Sequence, residues 1–426
     1  MLTILITIIF IAGYLAIAFE KPLKIDKAAS ALITGVACWT ICILYSQNPG
    51  VVADNLGKHF GDIAQILFFL LAAMIIVEMI DAHNGFDIIT NRIRTKRKVN
   101  LLWIIAIITF FLSSVLNNLT TAIVMVSLIK KLVPEKKDRM LFAGMIVIAS
   151  NAGGVWTPIG DVTTTMLWLG GQVTTPKVIS ELFLPGIVCM LVPLFILSFS
   201  VKGIIERTLV MESKLNEMTS NFEKKIIFFI GIILLILVPF FKTLTDLPPY
   251  MGMLLSLGIM WALTEVIHKK KDETIRSHLS VTTALKKIDT SIILFFLGIL
   301  LSIAALESSG LLVSAAGFLN KTFASNNIIA IILGLLSSII DNVPLVAASM
   351  GMYNLHSYPP DNSFWEFLAY TVGTGGSILI IGSAAGIAVM GVEKIEFGWY
   401  LKKIGWVALL GFLLGIAVFL LQQIIY

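Results

Sequence analysis

The sequence predicts an all-α polytopic membrane protein with the architecture of an inverted-repeat secondary transporter: ten crossings, two re-entrant hairpins and two discontinuous helices. Three observations lead there. The 426 residues are 57% hydrophobic and 13% charged, with a mean hydropathy of +0.93, whereas soluble chains carry about 25% charged residues. A polar interruption occurs twice inside apolar runs, as Ser113-Ser114-Val115-Leu116-Asn117-Asn118-Leu119-Thr120 and, 224 residues later, as Ser337-Ser338-Ile339-Ile340-Asp341-Asn342-Val343-Pro344. Finally, Lys and Arg gather on one face only if both interrupted runs fold back on themselves.

Taken in order, helices are expected over residues 2–19 and 28–45, a looser segment over 46–62, and a third helix over 63–80. Residues 16–18 resemble a signal-peptidase site, but residues 1–10 lack a basic region, so the first helix is read as retained. A basic cluster follows: Arg92, Arg94, Lys96, Arg97 and Lys98. Residues 101–132 would make a helix of roughly 48 Å, too long for one crossing of a core of about 30 Å. A second basic cluster, Lys130, Lys131, Lys136, Lys137 and Arg139, lies beyond it. Positive residues collect in cytoplasmic loops, so this run reads as a hairpin entering from the cytoplasm and turning at Asn117-Asn118. Residues 140–169 are again too long and are interrupted at Gly153-Gly154, Pro158 and Gly160. Glycine frees the backbone and proline removes a donor, so a discontinuous helix is expected.

The second half repeats the order. A helix over 291–306 precedes a hairpin over 328–353 and a discontinuous helix over 364–390, broken at Gly375-Gly376 and Gly382-Ser383. With ten crossings, all but four of the 31 Lys and Arg fall on the cytoplasmic side. The exceptions are Lys58, Lys177, Lys242 and Lys321, and both termini lie outside. The chain divides into N-terminal helices (1–62), a first repeat (63–200), a cytoplasmic linker (201–225), scaffold helices with a cytoplasmic loop (226–289) and a second, inverted repeat (290–426).

Other classes are poorly served. The net charge of +5 is spread over loops and reports orientation, with no nucleic-acid partner. Cys38, Cys42 and Cys189 sit in apolar spans without metal-ligand spacing. No HExxH, CxxC or nucleophile-elbow motif occurs, so neither an enzyme nor a cofactor is expected. A β-barrel would show short alternating segments.

Two interruptions in matching places of two halves mark a transporter's binding site. Asp161 and Asp341 are the principal candidates, because acids at membrane depth face a partner, an ion or a water-filled cavity. Asn118, Asn342 and Asn151 can ligate a cation or brace the helix breaks. Thr163, Thr164, Ser377 and Ser383 offer hydroxyls, while Asn117, Glu78 and Glu307 are secondary candidates. The block NAGGVWTPIGDVTTTMLW, the hairpin SSVLNNLTTAIVMVSL and the 337–344 stretch resemble the NhaD-type sodium/proton antiporters. Those belong to a superfamily that also holds dicarboxylate transporters and arsenite pumps. The resemblance implies export of Na⁺ and Li⁺ at Asp161 and Asp341 against inward H⁺. It further implies a homodimer in a bacterial-type cytoplasmic (inner) membrane. Such antiporters often carry Asp-Asn at both tips, whereas here the first tip is Asn117-Asn118. The main alternative is a cation-coupled dicarboxylate or other anion transporter of the same fold.

Overall fold

The computed structural model describes residues 2–90, 92–93, 95–205, 219–323 and 325–425. Arg94 of the first basic cluster and residues 206–218 of the linker lie outside the described residues. Those described are helical throughout, apart from turns and one isolated bridge between Arg97 and Ile204.

Helix α1 (Leu2–Ala18) and α2 (Lys27–Leu44) match expectation, and Asp26 caps α2 by accepting from the Ala28 N–H at 2.7 Å. The looser segment expected over 46–62 is instead helical from Pro49 onward, part of a 34-residue α3 (Pro49–Ala82). Proline in the first turn gives up only a donor that has no helical acceptor, and Asp54 and Lys58 are exposed, so polarity costs this turn little.

Helices α4 (Lys98–Leu116) and α5 (Asn118–Leu132) meet at Asn117, whose φ of +68° breaks the helix. The Lys98 ammonium at the start of α4 then reaches Glu135 at 3.3 Å and Asp138 at 2.5 Å, just beyond α5. A straight helix would hold those ends roughly 50 Å apart, so the run folds back. Helices α6 (Lys136–Gly154) and α7 (Val162–Leu169) flank the expected break, and α8 (Thr175–Ser198) follows. Helix α9 (Asn221–Thr245) opens with a reciprocal Ser220–Glu223 capping box and packs on α10 (Pro249–His268).

Helix α11 (Thr290–Ser308) lies along α2. Helix α12 (Leu311–Thr322), where no element is expected from the sequence, is bent by 115° from α13 (Asn326–Leu336). Helix α14 (Asn342–Met352) returns, α15 (Ser363–Gly375) and α16 (Ala384–Glu393) form the second broken helix, and α17 (Trp406–Ile425) ends the chain. Among the described residues, eight helices are long and apolar enough to cross a membrane, or nine if the bent α12–α13 pair counts as one span.

The two halves repeat their contacts as well as their order. The Ser113 hydroxyl donates to the Ser150 carbonyl at 2.6 Å, and Ser337 donates to Val372 at 2.7 Å. A Cβ on Gly153 would collide with the backbone of Phe110, and one on Gly375 with that of Gly334. Each first hairpin arm therefore presses on the first half of its own broken helix, α4 on α6 and α13 on α15. Each second arm packs on the other half's broken helix, α5 on α16 and α14 on α7. This cross-bracing brings four chain breaks to one place.

The ends of α15–α16 relate the two hairpin mouths. At the end of α16, Glu393 is paired with Arg139 at 3.1 Å, beside the start of α4 and the end of α5. Near the start of α15, the Trp365 indole donates to the Tyr358 carbonyl at 3.0 Å, and the Tyr358 hydroxyl reaches Asn326 at 3.2 Å. One hairpin thus opens at one end of the second broken helix and the other at its opposite end.

Candidate functional site

Asp161 ends the first break and precedes α7. Its side chain makes no cap hydrogen bond, because Thr163 and Asn118 hold it instead. The Thr163 hydroxyl donates to one carboxylate oxygen and the Asn118 amide to the other at 2.7 Å. Asp161 is 1% exposed, and no basic residue pairs with it among the described residues. The Asn118 amide also donates to Asn151 at 3.1 Å, and Asn151 donates to the Ser383 hydroxyl at 3.1 Å. Ser383 caps α16 by accepting from the Gly386 N–H. A single polar chain, Asp161–Asn118–Asn151–Ser383, therefore crosses from one half to the other.

Asp341 sits at the second hairpin tip as the N-cap of α14, accepting from the Val343 N–H at 3.2 Å. It is half-buried. Asp161 and Asp341 share the wall of one narrow cavity of about 20 Å³ with Asn117, Asn118 and Asn342, alongside apolar residues including Leu70, Met74 and Phe296. No basic side chain lines it. Two carboxylates and three amides around a space that size offer hard oxygen donors to a small cation.

The other predicted residues divide. Thr164 donates to the Val155 carbonyl at 3.3 Å and Ser377 to Thr374 at 2.6 Å; both brace the broken helices and neither lines the cavity. The Asn117 side chain accepts from the Thr120 N–H at 2.9 Å, yet also lines the cavity. Glu78 lies in a wider cavity of about 410 Å³, paired with Lys287 at 3.1 Å. Glu307 lines a separate cavity of about 370 Å³ with Asp62 and His59. The 410 Å³ cavity shares Met74, Leu119, Ile292 and Ala384 with the small one; the 370 Å³ cavity shares none of its lining.

Sequence reasoning missed the apolar side of the cavity, because Leu70, Met74 and Phe296 are ordinary residues of apolar helices. It also missed the stack of His83 on His268, with ring nitrogens 3.1 Å apart, formed by residues 185 positions distant.

A family model described as citrate transporter (CitMHS) matches residues 14–373. The chain belongs to the CitMHS family. Its relatives include two Arabidopsis thaliana proteins named sodium/proton antiporter 1 and 2. These are 46% and 45% identical, each over 97% of this chain and over 71% and 98% of their own lengths. A Vibrio cholerae protein named Na(+)/H(+) antiporter NhaD is 29% identical over 97% of this chain and 90% of its own length. The family description names citrate, whereas these relatives carry antiporter names. The NhaD-type resemblance of the tips and the first break agrees with the relatives.

Proposed function

We propose that the chain exports Na⁺, and also Li⁺, in exchange for H⁺ by alternating access. The observation that carries this reading is the pairing of Asp161 with Asp341 on a cavity of about 20 Å³ without a basic partner. One water needs about 10–15 Å³ of such space, while small-molecule pockets run to about 300–1,000 Å³. In this conformation the cavity fits a dehydrated monatomic cation and excludes citrate. Two carboxylates would also repel a tricarboxylate, so the relatives' names are the better guide than the family description.

Antiport follows from competition. A buried carboxylate loses hydration when ionised, and a bound cation restores the charged form. Each acid holds a proton or faces a sodium, and the two states exclude one another. Asn118 links the site to α6, and the Asn151–Ser383 bond links it to the second half, so ligand state is felt across both repeats.

The reading includes an inverted repeat of ten crossings: α1, α2, α3, α8, α9, α10, α11 and α17, plus the broken pairs α6–α7 and α15–α16. The paired runs α4–α5 and α13–α14 are re-entrant. The Lys98–Asp138 pair and the opposed hairpin mouths support this arrangement. Both termini then lie outside, in a membrane of the bacterial cytoplasmic type, and the 410 Å³ cavity opens to the cytoplasm. A homodimer is proposed on the family resemblance.

The test is exchange in vesicles carrying a pH reporter, with Na⁺, Li⁺, K⁺ and citrate compared. Proton movement driven by Na⁺ and Li⁺ alone is expected. Sodium-stimulated citrate uptake without cation-driven proton movement would assign the anion-transporter role instead.

A further inference from the structure

Glu366 lies in the first turn of α15, fully buried, and neither of its carboxyl oxygens has a hydrogen-bond partner. The matching position in the first half is Gly144, where a Cβ would run into Ile404. The acid is therefore an addition to the second half and no part of the shared scaffold. An ionised carboxylate buried with no donor bears its full loss of hydration uncompensated. A neutral acid loses far less hydration.

The groups facing Glu366 do not neutralise it. On α8, Lys177 is taken by Glu181 at 2.7 Å. Asp361, in the turn before α15, accepts from the N–H and hydroxyl of Thr174. On α17, Gln422 has a buried carbonyl oxygen that also lacks a partner, while Gln423 donates to Glu181. Tyr353 and Tyr358 pack on Phe364 and Trp365 at the outer end of α15. Deeper in, the acids of the elements packed on α15 are Asp161, before α7, and Asp341, the N-cap of α14.

Position along the helix makes this relevant. Glu366 and Gly373 are seven residues apart, two turns or about 10.5 Å along one face. Gly373 is where α15 touches the site, since a Cβ there would stand 3.0 Å from an Asp161 carboxylate oxygen. Ala369, small and buried, lies between them.

We propose that Glu366 is a second proton-binding site, taking a proton from the Lys177–Glu181–Asp361 face and passing it inward to Asp161. The O–H bond at Glu366 breaks as its proton passes to a file of water molecules entering beside Ala369, the last of which gives a proton to Asp161, and the Glu366 carboxylate is reprotonated from the medium on its own side. The direction of transfer rests on the antiport reading; the proton on Glu366 does not.

Two measurements separate them. Infrared difference spectra of the reconstituted protein across external pH should show a neutral-carboxyl band that Glu366→Gln removes. In vesicles, Glu366→Gln should lower Na⁺-driven proton flux about tenfold at alkaline external pH, where proton supply limits, while leaving Na⁺ binding at Asp161 unchanged. Glu366→Asp should restore part of the flux. A spectrum that Glu366→Gln leaves unchanged overturns the site, and loss of the band with wild-type flux at every external pH overturns the transfer. Should the glutamine variant fail to insert, Glu366→Asp decides: the neutral-carboxyl band must shift in frequency in that variant, and an unshifted band overturns the site. If wild-type protein moves no protons with Na⁺ but keeps the band, the antiport reading fails and the binding site stands.

Discussion

The two halves of this chain share a skeleton and divide the charge. The Ser113 and Ser337 hydroxyls make the same bond, and Gly153 and Gly375 allow the same close approach of helix to hairpin. The acids, by contrast, sit in non-matching places. The first half carries its acid at the broken helix, Asp161, opposite Ser383 in the second. The second half carries Asp341 at the hairpin tip, opposite Asn117. Because each second hairpin arm packs on the other half's broken helix, α14 on α7 and α5 on α16, Asp341 and Asp161 line one cavity. A duplicated scaffold supplies the geometry, and unequal substitution within it supplies one site.

The comparison is sharpened first at Asp161. Asp161→Asn should abolish Na⁺-driven proton movement, a loss of about a hundredfold or more, the equivalent of roughly 3 kcal/mol. The protein should still insert, because the amide can retain a bond from Thr163. Proton flux at matched membrane levels checks it, and near-normal exchange would remove Asp161 from the mechanism.

The shared skeleton is tested by Gly153→Ala and Gly375→Ala. Both place a methyl against backbone that cannot rotate aside, so each should cost about 3 kcal/mol, at the upper end of overpacking. Thermal unfolding in detergent measures this. Similar losses in the two variants would support equivalent packing; a loss confined to one would break the equivalence.

Asp341→Asn should be milder than Asp161→Asn, reducing exchange by about tenfold, or 1.4 kcal/mol. The asparagine keeps the cap on Val343, and position 341 is half-buried where Asp161 is closed off. Equal loss at both positions would show that the acids act as a single unit. Asn117→Asp makes the tips alike and should be tolerated, moving the pH profile of exchange by about one unit as a third carboxyl joins the cavity.

The smallest effect is expected at the end of α3, away from the site. Burial holds the His83 imidazole below its ordinary value of about 6.5. His268 stacks on it, with Lys271 and Glu223 nearby. The folded protein therefore binds fewer protons here than the unfolded chain, so stability is complete above about pH 6.5 and falls as pH drops below it, by at most about 1.4 kcal/mol per unit. Melting temperatures between pH 7.5 and 5.5 should fall less for His83→Asn than for the unaltered chain.

Much of this was legible in the residues. Long apolar runs interrupted by Asn117-Asn118, Gly153-Gly154, Asp341-Asn342 and Gly375-Gly376 predicted both breaks and both turns, because polar groups and glycines in such runs have few other uses. The segment before residue 63 was misread, since an exposed helix with mixed residues carries no periodic signal. Helix α12, with Ser314, Asn320 and Lys321 among its 12 residues, is too short and too polar to read as a crossing.

The sequence by itself determined the membrane class, the doubled polar interruption and the rarity of acids at depth, all of which follow from the cost of polar groups in hydrocarbon. Only the tertiary structure decided that Asp161 is held by Thr163 and Asn118, that Ser377 and Thr164 brace helices, and that Glu366 is buried without a partner. Whether a hydroxyl faces a cavity or its own helix depends on the rotation and tilt of packed helices. Those are fixed by contacts between residues tens to hundreds of positions apart, and no local pattern records them.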